Sequence, residues 1–215
     1  RFNVFVDAAS GKILQKDNLL LDVDAVGQAN TKYSGQKSIT TDNYSGGFRL
    51  RESGRGNGIE TYNLNHGTST GSAVDFTNTV NTWTTTGADQ AATDAHWGAE
   101  MVYDFLKQTY NRNSIDNNGF KLLSYVHYST NYVNAGWNGQ YMVYGDGNTS
   151  QGWDIMTALD ICGHEIGHGL VSRTASLTPG GEQGALNEAF GDIIGTCVER
   201  FARPTQYDWL IGADI

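Results

Sequence analysis

Two short stretches limit the folds open to this chain more than anything else in it: Gly163-His164-Glu165-Ile166-Gly167-His168-Gly169 and Asn187-Glu188-Ala189-Phe190-Gly191-Asp192. The first holds the pattern His-Glu-x-x-His. On an α-helix each residue turns about 100°, so two residues four apart project from one face. His164 and His168 can then fill two corners of a tetrahedral metal site, and Glu165, one position round, can work on water at that metal without being a ligand. The pattern alone recurs by chance, as two incidental histidines on a solvated helix, and the second stretch shifts the balance. A catalytic zinc keeps three protein ligands and one open position. Glu188 lies 20 residues beyond His168, enough for one helix to end, turn and send a second helix back. Asp192, four residues further and on the same face, is placed to accept the outer N–H of a ligand histidine.

At these residues the chain resembles the thermolysin family of zinc metalloendopeptidases, whose pattern is H-E-x-x-H followed by N-E-x-x-x-D. The resemblance implies that His164, His168 and Glu188 hold zinc, that Glu165 is the general base, and that Asn187 and Asp192 steady the ligands. It extends to Gly54-Arg55-Gly56-Asn57-Gly58-Ile59, Asp94-Ala95-His96, Val126-His127-Tyr128-Ser129, Asn134-Ala135-Gly136-Trp137-Asn138-Gly139 and Met142-Val143-Tyr144-Gly145-Asp146-Gly147, in family order over roughly residues 25 to 215. The implied fold is α+β. Residues 25–170 would form an N-terminal lobe, mostly antiparallel sheet plus helices, ending in the metal helix, and residues 171–215 would open a helical C-terminal lobe.

Charge narrows the partners. The net charge is −9, with 23 acidic against 14 basic residues and no basic stripe, which excludes nucleic acid as a partner. No apolar run approaches the roughly 18 residues of a membrane span. Proteins or peptides are the substrates the resemblance implies, with the chain's own prodomain as a further partner and secretion from a bacterium as its setting. Arg1 is not an initiator, so the chain reads as a piece of a longer precursor. Cys162 and Cys197 fall on the two motif helices. A disulfide stays open, but two buried free thiols are preferred, because buried cysteine usually serves as small apolar packing.

Taken in order, residues 2–6 alternate, 7–11 supply turn residues and 12–14 resume an extended pattern, which is a hairpin. It resembles the closing hairpin of a prodomain, so residues 1–24 read as a prodomain tail with a maturation cleavage between Leu20 and Asn30. Short alternating runs at 38–41, 47–51 and 59–63 predict an antiparallel sheet with one solvated face. Residues 68–86 read as loop. From Ala88 apolar residues recur at helical steps and stop near Asn111, and His96 within them reads as a hydrogen-bonded core residue rather than a ligand. Residues 121–128 and 141–144 read as strands. Between them, 131–139 resembles the family's substrate-binding edge strand, with Asn134 and Ala135 as contacts. The metal helix is expected over 154–174, weakened by Gly163, Gly167 and Gly169 at about 0.8–1 kcal/mol each. The second helix is expected over 184–201, burying Leu186, Ala189, Phe190, Ile193, Ile194 and Cys197.

Three further expectations come from the resemblance. Asp160, Glu199 and Asp208 would bind one calcium ion, since hard cations collect carboxylates; Leu210 and Ala213 stand where relatives carry the acids of a second. Ile161 and Ile211 would line a pocket for an apolar residue after the scissile bond. The His and Arg that the family supplies from its helical lobe to stabilise the oxyanion are absent, and Pro179 stands where relatives carry a tyrosine. Losing one such donor costs about 100- to 1,000-fold in rate, so these residues alone are expected to be nearly inactive. Two rival readings are a non-catalytic peptide-binding module, against which the intact Glu165 argues, and a structural zinc site closed by a fourth side chain, which neither cysteine is placed to supply.

Overall fold

The computed structural model describes residues 2–18, 23–84 and 89–215. Residues 19–22, part of the expected cleavage region, and Ala88, the expected helix start, lie outside that range. The hairpin is present: β1 (Phe2–Val6) and β2 (Ile13–Asn18) pair antiparallel. The Asp7 carboxylate accepts from the Ala9 N–H at 2.8 Å and the Ser10 N–H at 3.2 Å, and Gly11 turns the chain at φ 69°.

Two larger sheets follow. In the first, β3 (Val23–Asn30), β4 (Gln36–Tyr44) and β5 (Gly47–Arg49) form an antiparallel meander. The second starts from β6 (Arg51–Glu52) and β7 (Ile59–Asn63). Residues 68–86, expected to be loop, carry the short strands β8 (Val74–Asp75), β9 (Thr77–Asn78) and β10 (Thr82–Trp83), which pair with β7, β5 and β3 respectively. Then come α1 (Gln90–Tyr110), β11 (Leu122–Val126), β12 (Ala135–Trp137) and β13 (Met142–Tyr144). The second sheet runs β12-β13-β11-β7-β6.

One expectation is corrected here. Residues 59–63 pair antiparallel with β6 and β8 as expected, but in a sheet separate from β3-β4-β5, where β7 also pairs parallel with β11. Alternating polarity reports a half-buried strand but not its partner. The intervening α1 is the long crossover that parallel pairing needs, and the fully buried Ile59 and Thr61 sit on the side of β7 that α1 covers.

Helix α1 is capped at both ends. The Asp89 carboxylate accepts from the Ala92 N–H at 3.1 Å, and Asn111 ends the helix in the left-handed region at φ 50°. His96 is a core residue as expected. It is fully buried, with Nδ1 3.0 Å from Thr61 Oγ1 and Nε2 2.8 Å from the Thr40 carbonyl, and burial takes its pKa down to about 4. His127 is the opposite case. Burial alone would push this imidazole down, but hydrogen bonds at 2.7 Å to Asp146 and 2.7 Å to the capping Asp89 carry it up to about 10. His66 also faces Asp146, at 3.2 Å. The clamp therefore ties the start of α1 to the strand that follows it.

The motif helices are α2 (Leu159–Ser172) and α3 (Gly181–Ala202). α2 starts five residues later than expected because the Met156 N–H is committed to the Gly145 carbonyl, at 3.0 Å, rather than to a helical turn. The expected burial on α3 is also corrected. Leu186 is 49% exposed, Phe190 41% and Ile193 55%, while Gly184, Gly191, Gly195 and Val198 are buried. The face that meets α2 is lined by glycine. A Cβ on Gly163 would stand 2.8 Å from Gly195 Cα, one on Gly167 3.2 Å from Gly191 Cα, and one on Gly195 would collide with the Asp160 carbonyl oxygen. Cys162 is buried against Gly98 and Cys197 is half-buried; both are free thiols.

Two outcomes follow. Gly195→Ala is expected to cost about 2–3 kcal/mol in denaturant unfolding, because backbone must move to admit the methyl, whereas Gly71→Ala, with nothing nearer than 3.7 Å, stays within about 0.5 kcal/mol. His127→Gln should lose about 2 kcal/mol relative to the wild type at pH 6. His127 has a folded pKa above its unfolded one, so its contribution is whole below about 6.5 and fades as pH rises through about 10; parallel urea titrations at pH 6 and 10.5 should show the gap closing.

Candidate metal centre

The glycine-lined contact sets the geometry of the motif residues. His164 and His168 stand one turn apart on α2, rings at 87° with centroids 4.5 Å apart. Each ring is oriented from α3. His164 Nδ1 lies 2.9 Å from Asp192 Oδ1, and His168 Nδ1 lies 3.0 Å from Asn187 Oδ1. An Nδ1–H donated outward leaves both Nε2 lone pairs facing inward. Glu188 Oε2 meets them there, 3.4 Å from His164 Nε2 and 3.7 Å from His168 Nε2. Zinc–ligand bonds of about 2.0–2.1 Å at tetrahedral angles place neighbouring ligand atoms about 3.3 Å apart. Two imidazole nitrogens and a carboxylate oxygen at these separations fit one zinc ion. Among the described residues this trio forms the one group of histidine, cysteine and acid atoms close enough to hold a metal.

Glu165 is 7% exposed, beside the trio. Burial raises its pKa, opposed by the two imidazoles and the Trp137 backbone N–H, with Glu188 reinforcing the rise. A cleft of about 620 Å³ runs between the chain at 134–139 and the motif helices, with Pro179 on its far wall. Its near wall includes β12, an outer strand of the second sheet. A smaller recess of about 270 Å³ opens next to Glu165, lined by Ile161, Ile211, Val133 and Met156. Asn134 and Ala135 border both spaces. All the residues expected at the metal, the base and the substrate contacts thus gather on one surface.

The acids expected to hold calcium do not. Asp160 and Glu199 come together, but Asp208 turns outward and accepts from the Leu210 N–H at 2.7 Å. Asp214 takes the third place, and the Arg203 guanidinium bonds both Glu199 and Asp214. Neither Arg203 nor Asp214 was expected here. The spacing of Glu199 and Arg203, four apart on a helix, is the signal that could have found the pair.

Comparison with known proteins agrees with this geometry. Residues 26–172 match the thermolysin metallopeptidase catalytic domain, and 175–215 match the alpha-helical domain of the same family. The chain belongs to the thermolysin metallopeptidase family. It is 41% identical to a bacillolysin of Brevibacillus brevis over 215 residues, covering all of this chain and 38% of that protein. To a transglutaminase-activating metalloprotease of Streptomyces mobaraensis it is 38% identical, covering all of this chain and 28% of that one. The solved precursor of protealysin, a metalloproteinase of Serratia proteamaculans, superposes with a TM-score of 0.62 at 35% identity, covering 72% of this chain and 48% of that one. The mixed α+β architecture is that of the family, and the chain spans well under half the length of these curated relatives.

Because Asp192 Oδ1 lies 2.9 Å from His164 Nδ1, where it can accept the outer N–H of a metal-binding imidazole, Asp192→Ala is expected to weaken zinc binding about 10- to 100-fold. Competition against a chromogenic zinc chelator measures it, with circular dichroism showing that the helices persist.

Proposed function

We propose that this chain is the zinc-binding part of a secreted bacterial endopeptidase. His164, His168 and Glu188 would hold zinc, Glu165 would be the general base, and Asn187 and Asp192 would orient the two imidazoles. The observation that carries the reading is the convergence of two imidazole Nε2 atoms and one carboxylate oxygen beside the buried Glu165, in a cleft of about 620 Å³. Zinc bound there would polarise the scissile carbonyl and make water acidic enough to lose a proton near neutral pH.

The chain's own residues supply the rest. The outer edge of β12 would pair with the substrate backbone, with Asn134 and Ala135 as its contacts. Ile161 and Ile211 would receive an apolar side chain on the leaving-group side of the bond. Glu165 would take the proton of the attacking water and pass it to the departing amine. Its burial supports this, because a carboxylate kept from solvent binds a proton more readily. Residues 1–24 are read as the tail of a prodomain, which would be a partner of the catalytic part before maturation; the similarity to a precursor structure supports that. The acid-rich balance suits a protein working outside the cell.

Hydrolysis by these 215 residues alone would be slow. Among the described residues, those lining the cleft include no Arg or Tyr to donate to a developing oxyanion, and Pro179 offers none. The test is peptide cleavage by the zinc-loaded chain and by its full-length precursor after maturation, each with Glu165→Gln. The matured precursor should cleave in a chelator-sensitive way and the chain at least about 100-fold more slowly. Glu165→Gln should lower turnover about 10²- to 10⁴-fold while keeping zinc. A matured Glu165→Gln precursor as active as the wild type would end the assignment of the base.

A further inference from the structure

The resemblance implies calcium at Asp160, Glu199 and Asp208, and the residues present do not fit it. Calcium takes six to eight oxygen ligands at about 2.3–2.6 Å. Here the oxygens are engaged otherwise. Asp160 accepts from the Ile161 N–H through Oδ1 at 2.9 Å and from the Gly212 N–H through Oδ2 at 2.6 Å. Glu199 Oε1 accepts from Arg203 Nη2, as does Asp214 Oδ2 at 2.8 Å. Arg203 Nη1 donates to the Tyr33 carbonyl at 3.0 Å. The Arg203 side chain is 4% exposed, so its charge is held inside the acid cluster. A divalent ion brought within bonding distance of Glu199 would sit against that charge, and like charges about 4 Å apart in a partly dry site repel by several kcal/mol. The Glu199 carboxylate also accepts from the Asp208 backbone N–H.

The contacts also say what the guanidinium does. Its bond to Asp214 fastens the segment at 211–214 to the end of α3, and the Gly212–Asp160 bond fastens the same segment to the first turn of α2. That segment carries Ile211, which faces Ile161 across the recess beside Glu165. The bond to Tyr33 ties in the β3–β4 turn, and the Tyr33 hydroxyl in turn donates to the Ile155 carbonyl at 2.7 Å.

We propose that Arg203 is the resident cation of this site: it takes the place of calcium among Asp160, Glu199 and Asp214, and as a positioning residue it holds the Ile211 wall without any metal. The holding role stands on these contacts alone; that the recess receives substrate rests on the function proposed above. The test therefore reads stability and amide exchange rather than activity.

Thermal unfolding of the zinc-loaded protein is measured without calcium and with about 10 mM calcium, roughly ten times the dissociation constant of a weak extracellular site. The wild-type midpoint should not move, since an occupied weak site would raise it by about 3 °C or more. Arg203→Met should unfold several degrees lower, recover part of the loss in calcium, and exchange the Gly212 amide at least tenfold faster while the interior of α2 is unchanged. The proposal is overturned if calcium raises the wild-type midpoint by about 3 °C and Glu199→Gln removes that rise. It is equally overturned if Arg203→Met keeps both the wild-type midpoint and the wild-type Gly212 exchange. Should Arg203→Met not fold, Arg203→Lys decides: it keeps a cation and should stay indifferent to calcium, and a calcium-induced rise in its midpoint overturns the proposal.

Discussion

The contact between α2 and α3 is the constraint from which the rest of the site follows. Two imidazoles on one helix can be met by a carboxylate from another only if the helix axes come very close, and backbone meets backbone here at Gly163 against Gly195 and Gly167 against Gly191. The arrangement is costly in isolation. Glycine forfeits about 0.8–1 kcal/mol of helix propensity at each interior position, so neither helix is favoured by its own sequence. The short separation is what places Glu188 Oε2 within 3.7 Å of both imidazole Nε2 atoms and lets Asp192 and Asn187 reach the outer nitrogens. Gly191 contributes twice, since a Cβ there would press on the His164 ring.

Much of this was legible in the sequence, and the exceptions have physical reasons. The spacing of His164, His168, Glu188 and Asp192 states which residues share helix faces, and those faces do meet. The helical pattern from Ala92 to Leu106 and the core role of His96 follow from period and polarity in the same way. The buried side of α3 was misread because burial was assigned to the largest apolar residues, which holds when a helix packs by side chains. This one packs by glycines, so Leu186, Phe190 and Ile193 fall outside the contact. Strand β7 has the antiparallel neighbour expected at residue 51, but its parallel partner β11 was missed because alternation carries no information about parallel or antiparallel partners. The late start of α2 depends on a hydrogen bond to Gly145, far away in sequence.

The electrostatics follow from scarcity. With 14 basic residues against 23 acids, few cations are available for burial. Several of those placed inside serve more than one acid. Arg55 bonds Asp104 at 2.8 Å and Glu100 at 3.1 Å, and Glu100, almost fully buried, is carried by that burial up to about 8 even against the guanidinium. His127 answers Asp89 and Asp146, and Arg203 answers Glu199 and Asp214. In each case a cation joins segments distant in sequence, the role a bound metal would otherwise fill.

The brevity of β12 has its own consequence. Three residues at the rim of a sheet can offer a visiting strand only two or three ladder bonds, each contributing about 1 kcal/mol once water is displaced. A grip of that strength is indifferent to most side chains and easily surrendered. On the function proposed above, such a shelf would favour brief visits by many different guests over long residence by one, and fragments would leave it as readily as they arrived.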